Sequence, residues 1–157
     1  MGEQAPTEWR QGEYAISTDR ARLDLALVHG FLTASYWAKG IPLEVVRRSA
    51  EKSLCFGLYR SEQQIGFARV VTDYATFAYL GDVFVLEEFR GRGLSKWLMQ
   101  VVFSHPDLQG LRRWHLATRD AHGLYRQFGF TDLKNSSVHM EKWDPEIYSR
   151  SSNPSAT

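Results

Sequence analysis

Apolar positions along this chain follow two periods, and the switches between them mark the elements. Leu54–Tyr59 is an apolar run, the polar stretch Arg60–Gln63 interrupts it, and Gln64–Thr72 resumes it. Such a pair predicts a β-hairpin. A third strand, Phe77–Leu86, follows the turn residues Asp73–Thr76, and a fourth is predicted at Arg113–Ala117. Helical spacing appears at Leu23, Leu27, Val28 and Phe31 and predicts a helix over Arg22–Ser35. A second helix is predicted over Leu43–Lys52. Leu94, Trp97, Leu98, Val101 and Val102 predict a third over Arg92–Phe103. Ala121, Leu124 and Phe128 lie at i, i+3, i+7 and predict a short one over Ala121–Phe128, capped near Asp120 and ended by Gly129. A strand at Glu13–Ser17 opens the series, and strands at Phe130–Leu133 and Val138–Lys142 close it. The order is β-αα-βββ-α-β-α-ββ, an α+β chain with a mixed sheet and helices on its faces.

Composition narrows the function classes. A length of 157 residues fits one domain, and 43 % hydrophobic with 13 % aromatic residues can fill a sizeable core. A net charge of +1 gives no argument for nucleic acid or a membrane surface as partner. The single cysteine, Cys55, sits in an apolar run and reads as a core residue. No signal peptide and no apolar run near 18 residues is evident, so a cytoplasmic protein is expected. His and Cys lack metal-ligand spacing, so no metal is expected. Residues 1–11 and 146–157 lack apolar periodicity and read as flexible segments around a domain at 12–145.

Chemistry enters at Val83–Ser95, Val-Phe-Val-Leu-Glu-Glu-Phe-Arg-Gly-Arg-Gly-Leu-Ser. A strand ends, a glycine turn carries two arginines, and a helix begins at once. Gly91 and Gly93 allow close backbone approach, and the helix start offers unpaired N–H groups and a positive dipole end. With Arg90 and Arg92 this is a place for a phosphate or pyrophosphate. The spacing is neither a P-loop nor GxGxxG. Arg90-x-x-Gly93-x-Ser95 resembles the coenzyme A pyrophosphate loop, Arg/Gln-x-x-Gly-x-Gly/Ala, of the GNAT superfamily of N-acetyltransferases, with Ser95 where that family has Gly or Ala. Residues 118–130 resemble the second signature of the same family. Ala121, Leu124, Tyr125, Gly129 and Phe130 are in place, and Thr118 stands where the family has Asn.

The resemblance implies a mostly antiparallel sheet with helices on both faces and acetyl-CoA as co-substrate. It also implies roles for residues. The backbone of Val83, Phe84 and Val85 would pair with the pantetheine arm by strand addition. Arg90, Gly91, Arg92, Gly93, Leu94, Ser95, Lys96, Thr118 and Ala121 would hold the cofactor. Tyr125 would be the general acid toward the leaving thiolate, since a free phenol with a pKa of about 10 keeps its proton at neutral pH. The family's strand carboxylate is Gly81 here, which leaves Asp82 as the leading base, with Asp73, Glu87, His115 and His139 as alternatives. The loop Tyr36–Pro42 would line the acceptor pocket through Tyr36 and Trp37, with Arg69 and Tyr79, and also Tyr74, adding from the strands. Trp37 folded back on the core is the competing reading. A small-molecule primary amine is the expected acceptor, by direct transfer in a ternary complex. A protein or peptide acceptor, or a non-catalytic CoA sensor, is the alternative. Large side chains at His139, Met140 and Trp143 near a late sheet edge point to a homodimer.

Overall fold

The computed structural model describes residues 5–151. Two short strands, β1 (Glu8–Gln11) and β2 (Tyr14–Ser17), open it as a hairpin with Trp9 opposite Ile16. β1 lies in the stretch read from sequence as loose, and that expectation is corrected at these four residues. Trp9 is the one apolar residue of β1, too little for a periodic signal. Its ring packs beside Phe56 and His105, with centroids 6.3 and 5.9 Å away.

Helices α1 (Leu25–Thr33) and α2 (Leu43–Glu51) come next. Asp24 caps α1, its carboxylate accepting from the Leu27 N–H at 3.0 Å. α1 therefore starts three residues later than its apolar spacing suggests, behind a 3-10 turn at Arg20–Arg22. Strands β3 (Leu54–Arg60), β4 (Gln63–Thr72) and β5 (Phe77–Val85) form an antiparallel meander. Helix α3 (Leu94–Ser104) leads to β6 (Arg113–His115), which pairs parallel with β5 at the sheet edge. The six-stranded sheet runs in the order β1-β2-β3-β4-β5-β6. Helices α4 (His122–Arg126) and α5 (Ile147–Ser151) complete the described chain.

Both faces of the sheet are covered, as strand alternation requires. Ile16, Phe56, Leu58, Ile65 and Leu80 pack under α3 through Leu94, Leu98, Met99 and Val102, with Tyr125 of α4. Cys55, Phe67 and Phe84 face α1 and α2 through Val28, Leu32, Val46 and Ala50. Each fully buried large side chain contributes about 1.5–3 kcal/mol.

The closing strands are the main correction. Neither Phe130–Leu133 nor Val138–Lys142 is a strand: residues 130–146 run as turns and irregular backbone with a 3-10 turn at Ser136–Val138. Phe130 still packs on the core beside Phe103 and Tyr125. Val138 and Met140, by contrast, are 68 % and 97 % exposed, so the alternation there has no face to bury. α5 lies in the segment read as a flexible tail, and Tyr148 packs on the α1/α2 side. Residues 1–4 and 152–157 of the two segments read as flexible lie outside the described residues.

Candidate active site

A fault in the β4–β5 ladder opens the site. Pairing passes from Phe67 opposite Phe84 to Arg69 opposite Gly81, so Ala68 faces two residues, Asp82 and Val83. The extra residue makes a bulge, and Asp82 takes it up with a left-handed φ of 56°. Beyond Tyr79, opposite His115, β5 and β6 no longer pair. Between them lies a cleft of 860 Å³, lined on one side by Gly81–Val85 and on the other by Leu116–Ala121 and Tyr125. That volume suits a small organic molecule. A smaller hollow of 470 Å³ beside β6 shares Leu116, Ala117, Thr118 and Tyr125 but none of the glycine loop.

The glycine loop sits at one end of this cleft. Gly91 and Gly93 have φ of 78° and 76°, the left-handed region that glycine enters at little cost. Gly93 is the N-cap of α3 and provides no side-chain cap, so first-turn N–H groups at Leu94, Ser95 and Lys96 have no helical acceptor. Both arginines brace the turn. Arg90 Nε donates to the Val85 carbonyl at 3.0 Å. Arg92 donates to the Tyr14 hydroxyl at 3.1 Å and its guanidinium lies over Phe89, 5.4 Å from the ring centre. Arg90 and Ser95 line the cleft, whereas Leu94 turns its side chain into the core and offers only backbone.

Tyr125 reaches the cleft from the opposite wall. The Thr118 hydroxyl accepts from the Ala121 N–H at 3.0 Å and so starts α4, with Ala121 and not Asp120 at the cap. α4 ends at Arg126, two residues short of the expected Phe128, and Gly129, at φ 89°, closes the turn that follows. The Tyr125 ring is 8 % exposed. Burial, with a smaller contribution from the neighbouring Tyr36, pushes its phenol up to about 12.

The acceptor end is built around Asp82. One of its oxygens accepts from the Trp37 indole N–H at 2.9 Å, the other from Arg69 Nε at 2.8 Å. Arg69 also donates to the Ser53 hydroxyl at 3.1 Å. This Asp82–Arg69 pair is largely buried, at 11 % and 20 % side-chain exposure. Trp37 is therefore held at the cleft wall and keeps 42 % exposure there. Tyr36 crosses the opening: its hydroxyl accepts from the Arg119 N–H at 3.3 Å, and the Arg119 guanidinium lies 3.8 Å above its ring. Tyr79 lines the same wall and stacks on His115.

Other candidates fall elsewhere. Asp73 holds the β4–β5 turn, accepting from the Thr76 hydroxyl and from the N–H groups of Ala75, Thr76 and Phe77. Those donors, the Thr76 hydroxyl first, hold its carboxyl well below the usual carboxylate range. Glu87 begins a 3-10 turn, and His139 sits near Arg113 at the sheet edge. Neither they nor Tyr74 line the cleft. Among the described residues no group of three or more His, Cys, Asp or Glu could hold a metal ion.

A family profile described as "Acetyltransferase (GNAT) domain" matches residues 51–132, which hold the hairpin, the bulge, the glycine loop and Tyr125. The chain belongs to the GNAT acetyltransferase family. A Gibberella zeae protein named as a candidate acetyltransferase is 32 % identical over 153 residues, covering 82 % of this chain and 85 % of its own. A GNAT-family crystal structure from Xanthomonas campestris pv. campestris is 55 % identical, with TM-score 0.85, covering 87 % of this chain and 96 % of that one. A crystal structure, with acetyl-CoA, of a Clostridium acetobutylicum protein named as a predicted acetyltransferase shares the fold at 14 % identity and TM-score 0.58, covering 82 % of this chain and 98 % of that one.

Three residues of this GNAT domain with no site signal in the sequence also line the cleft. Phe31 counts as core in the helical spacing, yet it stacks on Phe84 at 4.0 Å and lines the cleft. Arg119 stands beside Thr118 within the second signature, but only the fold brings it to Tyr36. Tyr148 lines the cleft from a segment with no periodic signal.

Proposed function

We propose that the protein transfers an acetyl group from acetyl-CoA to the primary amine of a small molecule, directly, within a ternary complex. The observation that carries the reading is one cleft that joins a glycine loop at a helix start, an unpaired strand backbone and a buried, protonated Tyr125. The family fit of the residues supports acetyl-CoA as the donor. Loop N–H groups and Arg90 suit the pyrophosphate, and the edge of β5 at Val83–Val85 that faces away from β4, which no neighbouring strand pairs, suits the pantetheine amides. Bound there, acetyl-CoA supplies an activated thioester carbonyl.

The chain's own residues then have distinct tasks. Tyr125, neutral across the physiological range as any phenol is, gives its proton to the departing thiolate as the C–S bond breaks and is reprotonated through water by the proton the amine loses. Asp82 has both oxygens engaged by Trp37 and Arg69, so we assign it to positioning the acceptor wall. The amine's proton leaves through water. A compact acceptor follows from the Tyr36–Arg119 crossing, which roofs the opening where an extended peptide would need a groove. Two copies would pair through the exposed Met140 and Trp143, with His139 beside Arg113 of the edge strand β6.

Calorimetry with CoA tests the donor half. Wild type binds, and Gly93→Val weakens binding at least tenfold. No binding at millimolar CoA contradicts the reading.

A further inference from the structure

The acceptor end of the cleft is a ladder of rings whose one largely buried carboxylate, Asp82, is paired with Arg69. Phe84 stacks on Phe31 with centroids 4.0 Å apart and planes at 10°. Phe31 lies 6.2 Å from Trp37, and Trp37 meets Tyr36 edge-on at 5.1 Å. The ladder thus runs from the strand expected to hold the pantetheine arm to the outer lip. At its centre Trp37 cannot rotate freely, since Asp82 holds its indole N–H. Trp37 as a residue is nevertheless 42 % exposed, and Tyr36 49 %. Aromatic surface fixed in orientation and left open inside a cleft is a stacking platform.

Charge decides what stacks there. Asp82 is neutralised by Arg69 at 2.8 Å. The other carboxylate lining the cleft, Asp120, is exposed and lies on the far wall with Arg119. A ligand with several ammonium groups would find too few anionic partners and would meet the Arg119 guanidinium over Tyr36. A single amine is different, because it must reach the thioester uncharged. We propose that the acceptor is a primary monoamine with a flat, uncharged apolar body that stacks on Trp37. This deepens the acetyl-transfer reading above and rests on it.

The test compares three acceptors with the full chain and saturating acetyl-CoA: 2-phenylethylamine, hexylamine and spermidine. Free-thiol release gives kcat/KM for each, and calorimetry with CoA is run alongside. The aromatic amine is expected to exceed the other two by about tenfold, the scale of one aromatic contact with its buried area. Trp37→Ala should raise KM for the aromatic amine about tenfold with little change for hexylamine, and Trp37→Phe should restore most of the loss. CoA affinity in both variants should match wild type, which shows an intact fold. Equal rates for the three amines, or a preference for hexylamine or spermidine, overturns the inference alone, whereas no acetylation of any of them by CoA-binding protein also contradicts the acetyl-transfer reading. Failure to bind CoA overturns the acetyl-transfer reading beneath it.

Discussion

Tyr125 is neutral at about pH 7 as any phenol is, and its pKa is pushed further up because α4 places it against the core. Its pKa of about 12 means that activity set by this group holds level through neutral and mildly alkaline pH. Asp82 is the opposite kind of residue, a carboxylate with both oxygens committed. Asp82→Asn leaves Arg69 without its counter-ion and loosens Trp37. The expected outcome in steady-state kinetics is an acceptor KM raised about tenfold, the scale of a hydrogen bond to a charged group. A fall in kcat at unchanged KM would instead return the base role to Asp82. The sequence singles out Asp82 as the strand's only carboxylate, but it gives no sign of the left-handed φ that turns the side chain toward Trp37. That depends on one extra residue in β5, which shows only when its pairing with β4 is known.

At the scale of elements, the helix-and-strand order was readable wherever a segment buries one face. The β3–β4 hairpin, β5 and α3 appear within a residue or two of their periodic runs, since burial on both sheet faces demands that pattern. Where burial is thin the signal fails. β1 has one apolar anchor, and the alternation at Val138–Lys142 has none of its large side chains buried in the chain itself. Inside β3, Gly57 is required for a reason invisible to propensity. A Cβ there would lie 2.4 Å from the Tyr59 hydroxyl oxygen, which packs across it. Gly57→Ala should therefore cost about 1–3 kcal/mol in urea unfolding, the usual scale of overpacking. Gly93 is the contrast, because a Cβ there meets nothing within 4 Å and the demand is on φ alone. Gly93→Ala should cost about 1 kcal/mol of stability through its left-handed conformation. Equal losses of CoA binding in Gly57→Ala and Gly93→Ala would show that the loop has no special part in it.

For the whole molecule, three buried acids make stability sensitive to high pH. Burial pushes Cys55 up to about 12 from an ordinary 9.0, and Tyr59 and Tyr125 to about 12 from 10.0. The unfolded chain releases these protons at lower pH than the folded one, so stability is unaffected below about pH 9 and falls as pH rises toward 12. The urea midpoint should decline across that window, and Cys55→Ala should flatten its first part. A flat midpoint would show that these groups ionise freely in the fold. Self-association is tested by light scattering over a concentration series. The expected mass is that of a dimer, with Met140→Glu giving monomer, and monomer mass in wild type at every concentration refutes the pairing. Among the described residues no helix is long and apolar enough to cross a membrane. The central claim is acetyl transfer with Tyr125 as proton donor, and the most direct measurement is thiol release from acetyl-CoA with a small primary amine, for wild type and Tyr125→Phe. The account predicts turnover by wild type and a kcat lowered about a hundredfold in the variant, with CoA affinity unchanged. No amine-dependent thiol release by wild type, or equal kcat in the two proteins, would contradict it.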